Sequence, residues 1–359
     1  MNERLFDVDE RFMLRAIELA RLGMGNVSPN PMVGCVIVHQ GRIIGEGYHR
    51  EYGKAHAEVD AVNSVKDKYL LSKSTIYVTL EPCSHFGKTP PCSDLILQNK
   101  IPNVVVGTID PFAQVAGSGI KKLIDGGCNV LQGFLKDKCI GLNRRFFTFH
   151  QSKRPYVILK WAQTADGFID IDRSEEHFGQ PTWITNDLSR IAVHKMRADE
   201  VAILVGTTTA KKDNPSLTTR DWSGRSPLRL VIDKDLKLSS DLELFNQIQT
   251  TIVYTAKDRP DNENIVYKRI LFNGREVEQI LEDLHERAVL SVIVEGGQVL
   301  LNSFIGKGLW DEARVFVGSG NFYNGVAAPV IDGFKVKAEK LDDSWMNIFS
   351  KDNQVTIID

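Results

Sequence analysis

The sequences HAEVDA at residues 56–61 and TLEPCSHFGKTPPC at residues 79–92 together indicate the fold of the first half of the chain. The first begins a predicted helix with His56, and the second begins at the end of a predicted strand and contains Cys83 and Cys92. One imidazole and two thiolates are ligands that suit zinc. Three protein ligands are also the number that a catalytic zinc uses while its fourth position binds water. We therefore predict one zinc ion per chain, bound by His56, Cys83 and Cys92.

Glu58 is the candidate acid and base of this site. Zinc lowers the pKa of a bound water to about 7, but hydrolysis at an amidine-like carbon also needs a group that takes one proton and returns one to the leaving nitrogen. Glu58 lies two residues after His56 at the same helix start. Two other interpretations stay open: a core histidine beside two buried thiols, and a closed structural zinc site with His85 as the fourth ligand.

Composition limits the classes of protein that the chain can belong to. Its 359 residues exceed the size of most single cores, so we expect two domains. A formal charge of -2 offers no overall attraction to a nucleic-acid backbone. The N-terminal residues lack the apolar segment of a secretory signal, and no stretch approaches the ~20 apolar residues of a membrane span. We therefore expect a cytoplasmic protein with no nucleic-acid or membrane partner, in which five cysteines are too few and too irregular for a disulfide framework.

Predicted helices and strands alternate through the first 135 residues. Apolar spacing predicts a helix over residues 9–22, and VGCVIVHQGRIIGEGY predicts two strands about a turn at Gln40 and Gly41. The strands TIYVTL, NVVVG and NVLQG follow, each pair separated by one predicted helix. Because strands separated by single helices pack beside each other, this pattern predicts a sheet covered by helices on both faces.

The second half of the chain begins a new α/β pattern. NRRFFTFHQSKRP at residues 143–155 is basic and aromatic, and Pro155 ends any helix that runs into it. After it, the strand YVILKWA begins another alternation, through AILVG, LRLVID, TIVY, SVIVEGG and EARVFVG. We therefore predict one domain at residues 1–147 and a second at residues 148–359.

The motifs of the first half resemble a known enzyme family. The arrangement of HAE and PC resembles the cytidine-deaminase signature, in which the glutamate is the acid and base and not a metal ligand. The long cysteine loop, PNPMVG at 29–34 and GEGYH at 45–49 are similar to the deaminase half of the bifunctional riboflavin-biosynthesis deaminase/reductases. This resemblance implies a cytidine-deaminase-like three-layer α/β/α domain. It also implies hydrolytic deamination of a 2,5-diamino-6-ribosylaminopyrimidinone 5-phosphate.

The eight residues between the two cysteines have a physical interpretation for such a substrate. His85 and Lys88 place a donor and a cation where a phosphate dianion could be bound by charge-assisted contacts. Lys88 could instead be a solvated loop charge. The resemblance adds Asn30 and His49 as substrate contacts. The family usually has Asp-Pro-Asn-Pro where this chain has DPFA at 110–113, so Phe112 is given no role.

A second site is predicted where a strand, two glycines and an apolar helix follow one another in SVIVEGGQVLLNSFI at residues 291–305. Glycine allows the backbone to approach a phosphate, and a helix N-terminus supplies unpaired N–H groups. Such turns are also common as plain connections. The chain contains no G-x-G-x-x-G, so a Rossmann dinucleotide site is not indicated.

Six motifs resemble the reductase half of the same family, in the same order: KWAQTADG, WIT, MRAD, VGTTT, DNPSLTTR and VEGGQVL. The resemblance implies a dihydrofolate-reductase-like α/β domain that uses NADPH to reduce the ribosyl side chain to ribityl. It implies NADPH contacts from Ala162, Trp183, Thr209, Asp213, Gly297, Gln298, Val299, Leu300, Leu301, Asn302 and Ser303. It implies substrate contacts from Arg197, Leu217, Arg220 and Glu295.

Two arginines suit the substrate phosphate because a guanidinium binds phosphate oxygens bidentately. Arg197 and Arg220 could instead form surface ion pairs, and Glu295 could be only a helix-start residue favoured by the dipole. This chain also departs from the family pattern: QTADG replaces Ser-Leu-Asp-Gly, and Pro181 stands where a serine is usual.

Three hypotheses follow. The first is a bifunctional zinc deaminase and NADPH reductase that acts on one small phosphosugar pyrimidine, expected to be a homo-oligomer because the family commonly is. The second is a nucleic-acid or nucleoside base deaminase with an accessory domain, which would need a basic groove and stacking aromatics. The third is a zinc-stabilised binding protein, which would need a closed site of four ligands.

Overall fold

The structure is a computed structural model that describes residues 6–86, 90–112, 116–179 and 182–352. The described residues form two compact units that separate between Ser152 and Lys153. The boundary expected from the sequence lies slightly earlier, inside a helix that ends at Ser152.

The first unit contains a five-stranded sheet and six α-helices within its described residues. The strands are β1 Gly34–His39, β2 Arg42–Tyr48, β3 Thr75–Leu80, β4 Asn103–Thr108 and β5 Asn129–Gln132. The helices are α1 Glu10–Arg21, α2 Ala57–Ser64, α3 Cys92–Gln98, α4 Ser118–Asp125, α5 Lys136–Leu142 and α6 Arg144–Ser152, with a 3₁₀ turn at Lys68–Lys73. The sheet order is β2-β1-β3-β4-β5, with β1 antiparallel to both neighbours and the remaining pairs parallel.

Helices cover both faces of this sheet, as the sequence predicted. Along β1, Cys35 and Ile37 pack against α2, α3 and α4, whereas Val36 and Val38 pack against α1 and α5. Successive side chains of a strand point to opposite faces, so one strand contributes to two hydrophobic cores. The first unit is therefore a three-layer α/β/α domain.

Helix α2 approaches the sheet closely at Gly47 of β2. A Cβ atom on Gly47 would lie 2.4 Å from the carbonyl oxygen of Ala57, so no other residue fits without moving the helix. Because His56 caps the N-terminus of α2, this close contact fixes the height of the histidine above the sheet.

The second unit contains a nine-stranded sheet, a two-stranded sheet and four α-helices within its described residues. The strands are β6 Tyr156–Gln163, β7 Phe168–Asp170, β8 Ala202–Val205, β9 Leu228–Ile232, β10 Thr251–Thr255, β11 Ile265–Arg269, β12 Ser291–Glu295, β13 Glu312–Val317, β14 Val326–Ala327, β15 Phe334–Leu341 and β16 Ser344–Ser350. The helices are α7 Asp187–Asp199, α8 Thr207–Asp213, α9 Glu276–Glu286 and α10 Gln298–Gly306, with 3₁₀ turns at Glu175–His177 and Glu243–Phe245.

The large sheet is parallel except at one edge. Its order is β11-β10-β9-β8-β12-β6-β13-β16-β15, and β15 and β16 form an antiparallel hairpin. All six strands named in the sequence analysis of this half are present, and β6 and β12 lie side by side in its centre. The second unit is therefore an α/β domain, as the sequence predicted. Strands β7, β11, β14, β15 and β16 were not predicted.

Helices of the described segments are all too short or too polar to cross a lipid bilayer.

Candidate active sites

The three predicted zinc ligands lie together in the first unit. His56 precedes α2, Cys83 follows β3, and Cys92 is the first residue of α3. The Sγ atoms of Cys83 and Cys92 are 3.6 and 3.3 Å from Nδ1 of His56. A tetrahedral zinc with ordinary bond lengths separates a nitrogen from a sulfur ligand by about 3.6 Å. The donor set therefore fits zinc in both chemistry and spacing.

The long loop between the cysteines does not separate their sulfur atoms. The backbone N–H of Cys92 donates to Sγ of Cys83 at 3.3 Å, and the N–H of Ser93 donates to the Cys83 carbonyl at 3.1 Å. The two ends of the loop, at Cys83 and Cys92, therefore lie next to each other. Hydrogen bonds from Cys92 and His56 also lower the pKa of Cys83 below its usual value, which favours a thiolate ligand.

Glu58 lies beside this cluster and is 3% exposed. Burial, together with the nearby Cys83, raises the pKa of Glu58 to about 7. A carboxyl group with this pKa exchanges a proton readily near neutral pH, as a general acid and base must.

Asn30 and His49 are in contact with each other and border the metal ligands. Nδ2 of Asn30 is 3.1 Å from Nε2 of His49, and Nδ1 of His49 is 2.9 Å from the carbonyl oxygen of Ala55. A carbonyl only accepts, so Nδ1 of His49 is the donor and Nε2 accepts from the Asn30 amide. The His49 ring is also 5.7 Å from the His56 ring. The two predicted substrate contacts therefore form one hydrogen-bonded unit.

His85 of the cysteine loop does not belong to the ligand cluster. His85 is exposed and is not among the three residues that form the possible metal site of the described segments. The structure thus gives no support to His85 as a fourth ligand. Lys88 lies outside the described residues.

Glu81 lies between β3 and Cys83, and the sequence analysis gave it no role. Its buried carboxylate accepts backbone N–H groups from Gly117 and Gly119, at 2.9 and 2.8 Å, and also from Asp110 and Ile120. These contacts join the strand end before Cys83 to the loop before α4. The usable signal was the acidic residue at the end of an otherwise apolar strand.

The second unit contains a cavity of about 870 Å³. Residues from many elements line it, including the ends of β6, β8 and β12 and the starts of α8 and α10. The predicted residues on its wall are Ala162, Thr209, Asp213, Glu295, Gly297, Gln298, Val299, Leu300, Asn302 and Ser303. Lining residues that the sequence analysis missed include Lys160, Arg173, Thr207, Lys212 and Lys307.

The turn between β12 and α10 is fixed by Thr209. Oγ1 of Thr209 accepts the backbone N–H of Gly297 at 2.9 Å. Gly297 caps helix α10, and the N–H groups of a first helical turn lack intrahelical acceptors. The predicted phosphate-binding turn therefore lies on the cavity wall with an ordered backbone.

Two predicted substrate residues of this unit pair with each other. Nη2 of Arg197 donates to Oε2 of Glu295 at 3.1 Å, and Nζ of Lys160 is 3.8 Å from Oε1 of Glu295. Burial opposes ionisation of Glu295, but Arg197 and Lys160 lower its pKa below the usual range. Nε of Arg197 and Oε1 of Glu295 are buried without a hydrogen bond to protein groups of the described segments. Lys160 could have been noticed as the one charge in the apolar strand YVILKWA.

Arg173 joins two acidic residues on the cavity wall. Its Nη2 atom lies 2.8 Å from Oδ2 of Asp170 and 2.5 Å from Oδ1 of Asp213. Burial raises the pKa of Asp213, while Arg173 acts in the opposite direction. Nothing in the surrounding sequence pattern marked Arg173.

The other predicted residues lie away from the cavity wall. Trp183 is 66% exposed, and Leu301 is buried in the hydrophobic core. Leu217 is also buried, and its φ of 54° turns the chain just before Arg220. The exposed Arg220 donates to the hydroxyl groups of Ser216 and Thr218.

Comparisons with known proteins agree with the two folds. Residues 7–108 match the cytidine and deoxycytidylate deaminase zinc-binding region, and residues 155–350 match the RibD C-terminal domain. A riboflavin biosynthesis protein RibD of Aquifex aeolicus is 38% identical over 316 residues, which cover 87% of each chain. RibD of Escherichia coli is 34% identical and covers 86% of this chain and 87% of its own.

A solved structure is similar over nearly the whole length. The Thermotoga maritima protein, described as a diaminohydroxyphosphoribosylaminopyrimidine deaminase/5-amino-6-(5-phosphoribosylamino)uracil reductase, superposes with a TM-score of 0.86. It is 38% identical, and the match covers 95% of this chain and 98% of that one.

The fold and the metal-donor set define the class of this protein, which is a zinc-dependent deaminase joined in one chain to an NADPH-dependent reductase. Within that class, the chain belongs to the RibD family, the bifunctional deaminase/reductases of riboflavin biosynthesis.

Proposed function

We propose that the first unit deaminates a 2,5-diamino-6-ribosylaminopyrimidinone 5-phosphate and that the second reduces the ribosyl chain of the product with NADPH. The substrates are those in the description of the Thermotoga maritima relative. The observation that best supports the first activity is the cluster of His56, Cys83 and Cys92 beside the buried Glu58. The alternative of a closed four-ligand zinc site has no such support.

In deamination, His56, Cys83 and Cys92 would hold a zinc ion, which would supply an acidified water molecule. Glu58 would take one proton from the attacking water and deliver one to the leaving amino group. Its buried position and raised pKa allow both transfers without a second residue. Asn30 turns its amide N–H toward His49, so its carbonyl oxygen is left to accept from an amino group of the substrate.

We assign the phosphate end of the first substrate to the loop between the cysteines. His85 is exposed on that loop, so it can reach a ligand at the mouth of the site. Lys88 is proposed as its cationic partner on sequence grounds.

In reduction, the cavity of the second unit would hold NADPH, which would supply the hydride. The N–H groups at the start of α10, from Gln298 to Leu300, are proposed to bind its phosphates. Ala162, Thr209, Asp213, Asn302 and Ser303 line the same cavity. Trp183 and Leu301, which lie away from its wall, are proposed as cofactor contacts on the family resemblance alone.

The substrate of the reductase is proposed to bind between Glu295 and Arg220. Glu295 and Arg197 form a fixed, buried pair that can accept and donate hydrogen bonds without reorganising. Leu217 turns the backbone, and Arg220 offers an exposed guanidinium to the ribose phosphate. Hydride transfer then depends on orientation by these groups.

One preparation tests the whole proposal. The purified chain should contain about one zinc, release ammonia from the diaminopyrimidinone phosphate, and then oxidise NADPH. Zinc binding without ammonia release from this substrate would contradict the first assignment. Ammonia release from cytidine or single-stranded DNA instead would favour the nucleic-acid alternative.

We further propose that residues 1–147 and 148–359 are the two catalytic domains, that the protein is a cytoplasmic homo-oligomer, and that its partners are small molecules. The separate family matches at residues 7–108 and 155–350 support the division into two catalytic domains. Sedimentation of the purified chain tests the oligomeric state.

A further inference from the structure

Helix α7 contacts the segment that carries Arg220 through a buried histidine. His194 is 2% exposed. Its Nδ1 atom accepts the backbone N–H of Arg220 at 2.9 Å and lies 3.4 Å from the backbone N of Asp221. Its Nε2 atom lies 3.5 Å from Oδ2 of Asp221.

These contacts determine the protonation state of the ring. Two N–H groups converge on Nδ1, so this atom must be unprotonated and the ring proton must be on Nε2. A proton on Nε2 also faces the carboxylate of Asp221. Burial, with Arg197 and Arg220 nearby, lowers the pKa of His194 to about 4, although Asp221 and Glu295 act in the opposite direction. The imidazole is therefore neutral at physiological pH.

A second residue of the same helix face contacts the same segment. Arg197, one turn after His194, donates from Nη1 to the carbonyl oxygen of Thr218 at 3.3 Å and from Nη2 to Glu295. The backbone on either side of residue 219 is thus bound at a carbonyl by Arg197 and at an amide by His194. The Arg220 side chain leaves from this bound segment and donates to Thr218 Oγ1 at 3.1 Å.

We propose that His194 is a positioning residue of the reductase, which orients Arg220 toward the phosphate monoester of the substrate. The inference rests on the proposed role of Arg220 in binding that phosphate. Orientation matters because a guanidinium binds two phosphate oxygens only in a narrow range of directions. A neutral acceptor at Nδ1 supplies that orientation without adding a charge that would repel the arginine.

The test compares His194→Leu with His194→Asn in the full chain, because the Asn side-chain oxygen can replace Nδ1 as an acceptor. For the deaminated 5-phosphate substrate, His194→Leu should raise the reductase KM roughly tenfold and change the KM for NADPH by less than about twofold. His194→Asn should recover most of this loss. The dephosphorylated substrate should be reduced equally well by all three proteins.

Lys195→Ala is the matched control, since Lys195 is the next residue of the helix and forms only a half-exposed ion pair with Asp199. It should leave every constant unchanged. A loss in His194→Leu that is equal for the phosphorylated and dephosphorylated substrates would indicate general loosening and overturn the proposal. So would an unchanged KM.

Arg220→Met distinguishes the positioning role of His194 from the phosphate-binding role of Arg220. If Arg220→Met raises the KM for the phosphorylated substrate and His194→Leu does not, the positioning role is wrong and the phosphate role stands. If Arg220→Met has no phosphate-specific effect, both are wrong. Should His194→Leu fail to fold, ¹⁵N-histidine spectra of the unaltered protein decide: one of its eight histidines must show the neutral Nε2–H tautomer at pH 6. A protonated ring there would exclude the proposal.

Discussion

The deaminase and reductase sites of this chain are built in opposite ways. The deaminase site concentrates its chemistry in four side chains, with His56 and Glu58 at one helix start and Cys83 and Cys92 at the two ends of one loop. The reductase site is a cavity of about 870 Å³ whose wall is drawn from strands and helices throughout the second unit. A site that depends on one metal and one carboxylate should lose activity abruptly on substitution. A site that depends on many orienting contacts should lose it gradually.

Two buried glutamates show the same difference in electrostatic terms. Burial raises the pKa of Glu58 to about 7, whereas Arg197 and Lys160 outweigh burial at Glu295 and lower its pKa. One carboxyl group is therefore suited to exchanging a proton and the other to remaining ionised. Pairs of acids whose environments move their pKa values apart commonly have different roles.

Removal of zinc should give the largest effect and should separate the two sites completely. Cys83→Ser or treatment with a chelator should reduce ammonia release to background, because the acidified water is lost. Reduction of the separately supplied deaminated substrate should continue. Cys128→Ser is the matched control, since Cys128 is a free thiol outside the ligand cluster. If the chelated protein remained folded but also stopped oxidising NADPH, the two sites would not be independent.

Glu58→Gln should have the next largest effect. Glutamine keeps the shape of the side chain but cannot transfer a proton, so ammonia release should fall by about 100- to 10,000-fold while zinc content stays constant. Asp60→Asn, in the same helical turn and paired with Arg50 on the surface, should retain nearly full activity. Steady-state assays with metal analysis measure both. If Glu58→Gln released ammonia at the wild-type rate, Glu58 would not be the acid and base of the deaminase site.

The difference between a concentrated deaminase site and a distributed reductase site also explains which residues could be predicted from the sequence. The zinc ligands and Glu58 were predicted because metal chemistry requires particular residue types at helix and strand ends, and such positions are visible in a sequence. The central strands were predicted from apolar periodicity. Arg173 pairs with Asp213 and Lys160 with Glu295, both far away in the chain. The local pattern marks Lys160 only as a charge in an apolar strand and does not indicate either distant partner.

The missed hairpin of β15 and β16 has a similar cause. Most side chains of β15 are exposed, because it is the edge strand of the sheet and its partner β16 supplies the buried face. The residues FKVKAEK of β15 alternate apolar and charged side chains. Both faces are largely exposed, however, so the place of β15 in the sheet depends on its pairing with β16 and not on burial.

Glu295→Gln tests the reductase side of the comparison. The substitution leaves Arg197 and Lys160 facing a neutral amide in a buried position, so kcat/KM for reduction should fall roughly 10- to 100-fold. Deamination should be unaffected. Glu339→Gln, on the exposed edge strand, is the control. A complete loss of reduction, as abrupt as that of Glu58→Gln in deamination, would contradict a distributed site.

Thr209→Val should have a smaller effect on the same unit. Valine has the same shape as threonine but cannot accept the Gly297 N–H, so the cofactor-binding turn loses one hydrogen bond. The KM for NADPH should rise about three- to tenfold, which corresponds to the ~1 kcal/mol typical of one such bond. Thr209→Ser keeps the hydroxyl group and should behave like the wild type. An unchanged KM in Thr209→Val would show that the turn is ordered by other contacts.

The smallest effect expected is a pH dependence of stability that arises from His194. Its pKa is lowered from 6.5 to about 4 in the folded protein, among Arg197, Arg220, Asp221 and Glu295. Below pH 6.5 the unfolded chain binds a proton that the folded chain excludes, so stability should fall as the pH is lowered from 6.5 toward 4. Asparagine does not titrate, so His194→Asn should lack this component, a difference on the order of 1 kcal/mol at pH 6. Urea unfolding of both proteins at pH 7 and pH 6 measures it. If stability changed equally with pH in the two proteins, folding would not exclude a proton from His194. The buried His194 would then exchange a proton near neutral pH, as Glu58 does in the deaminase unit.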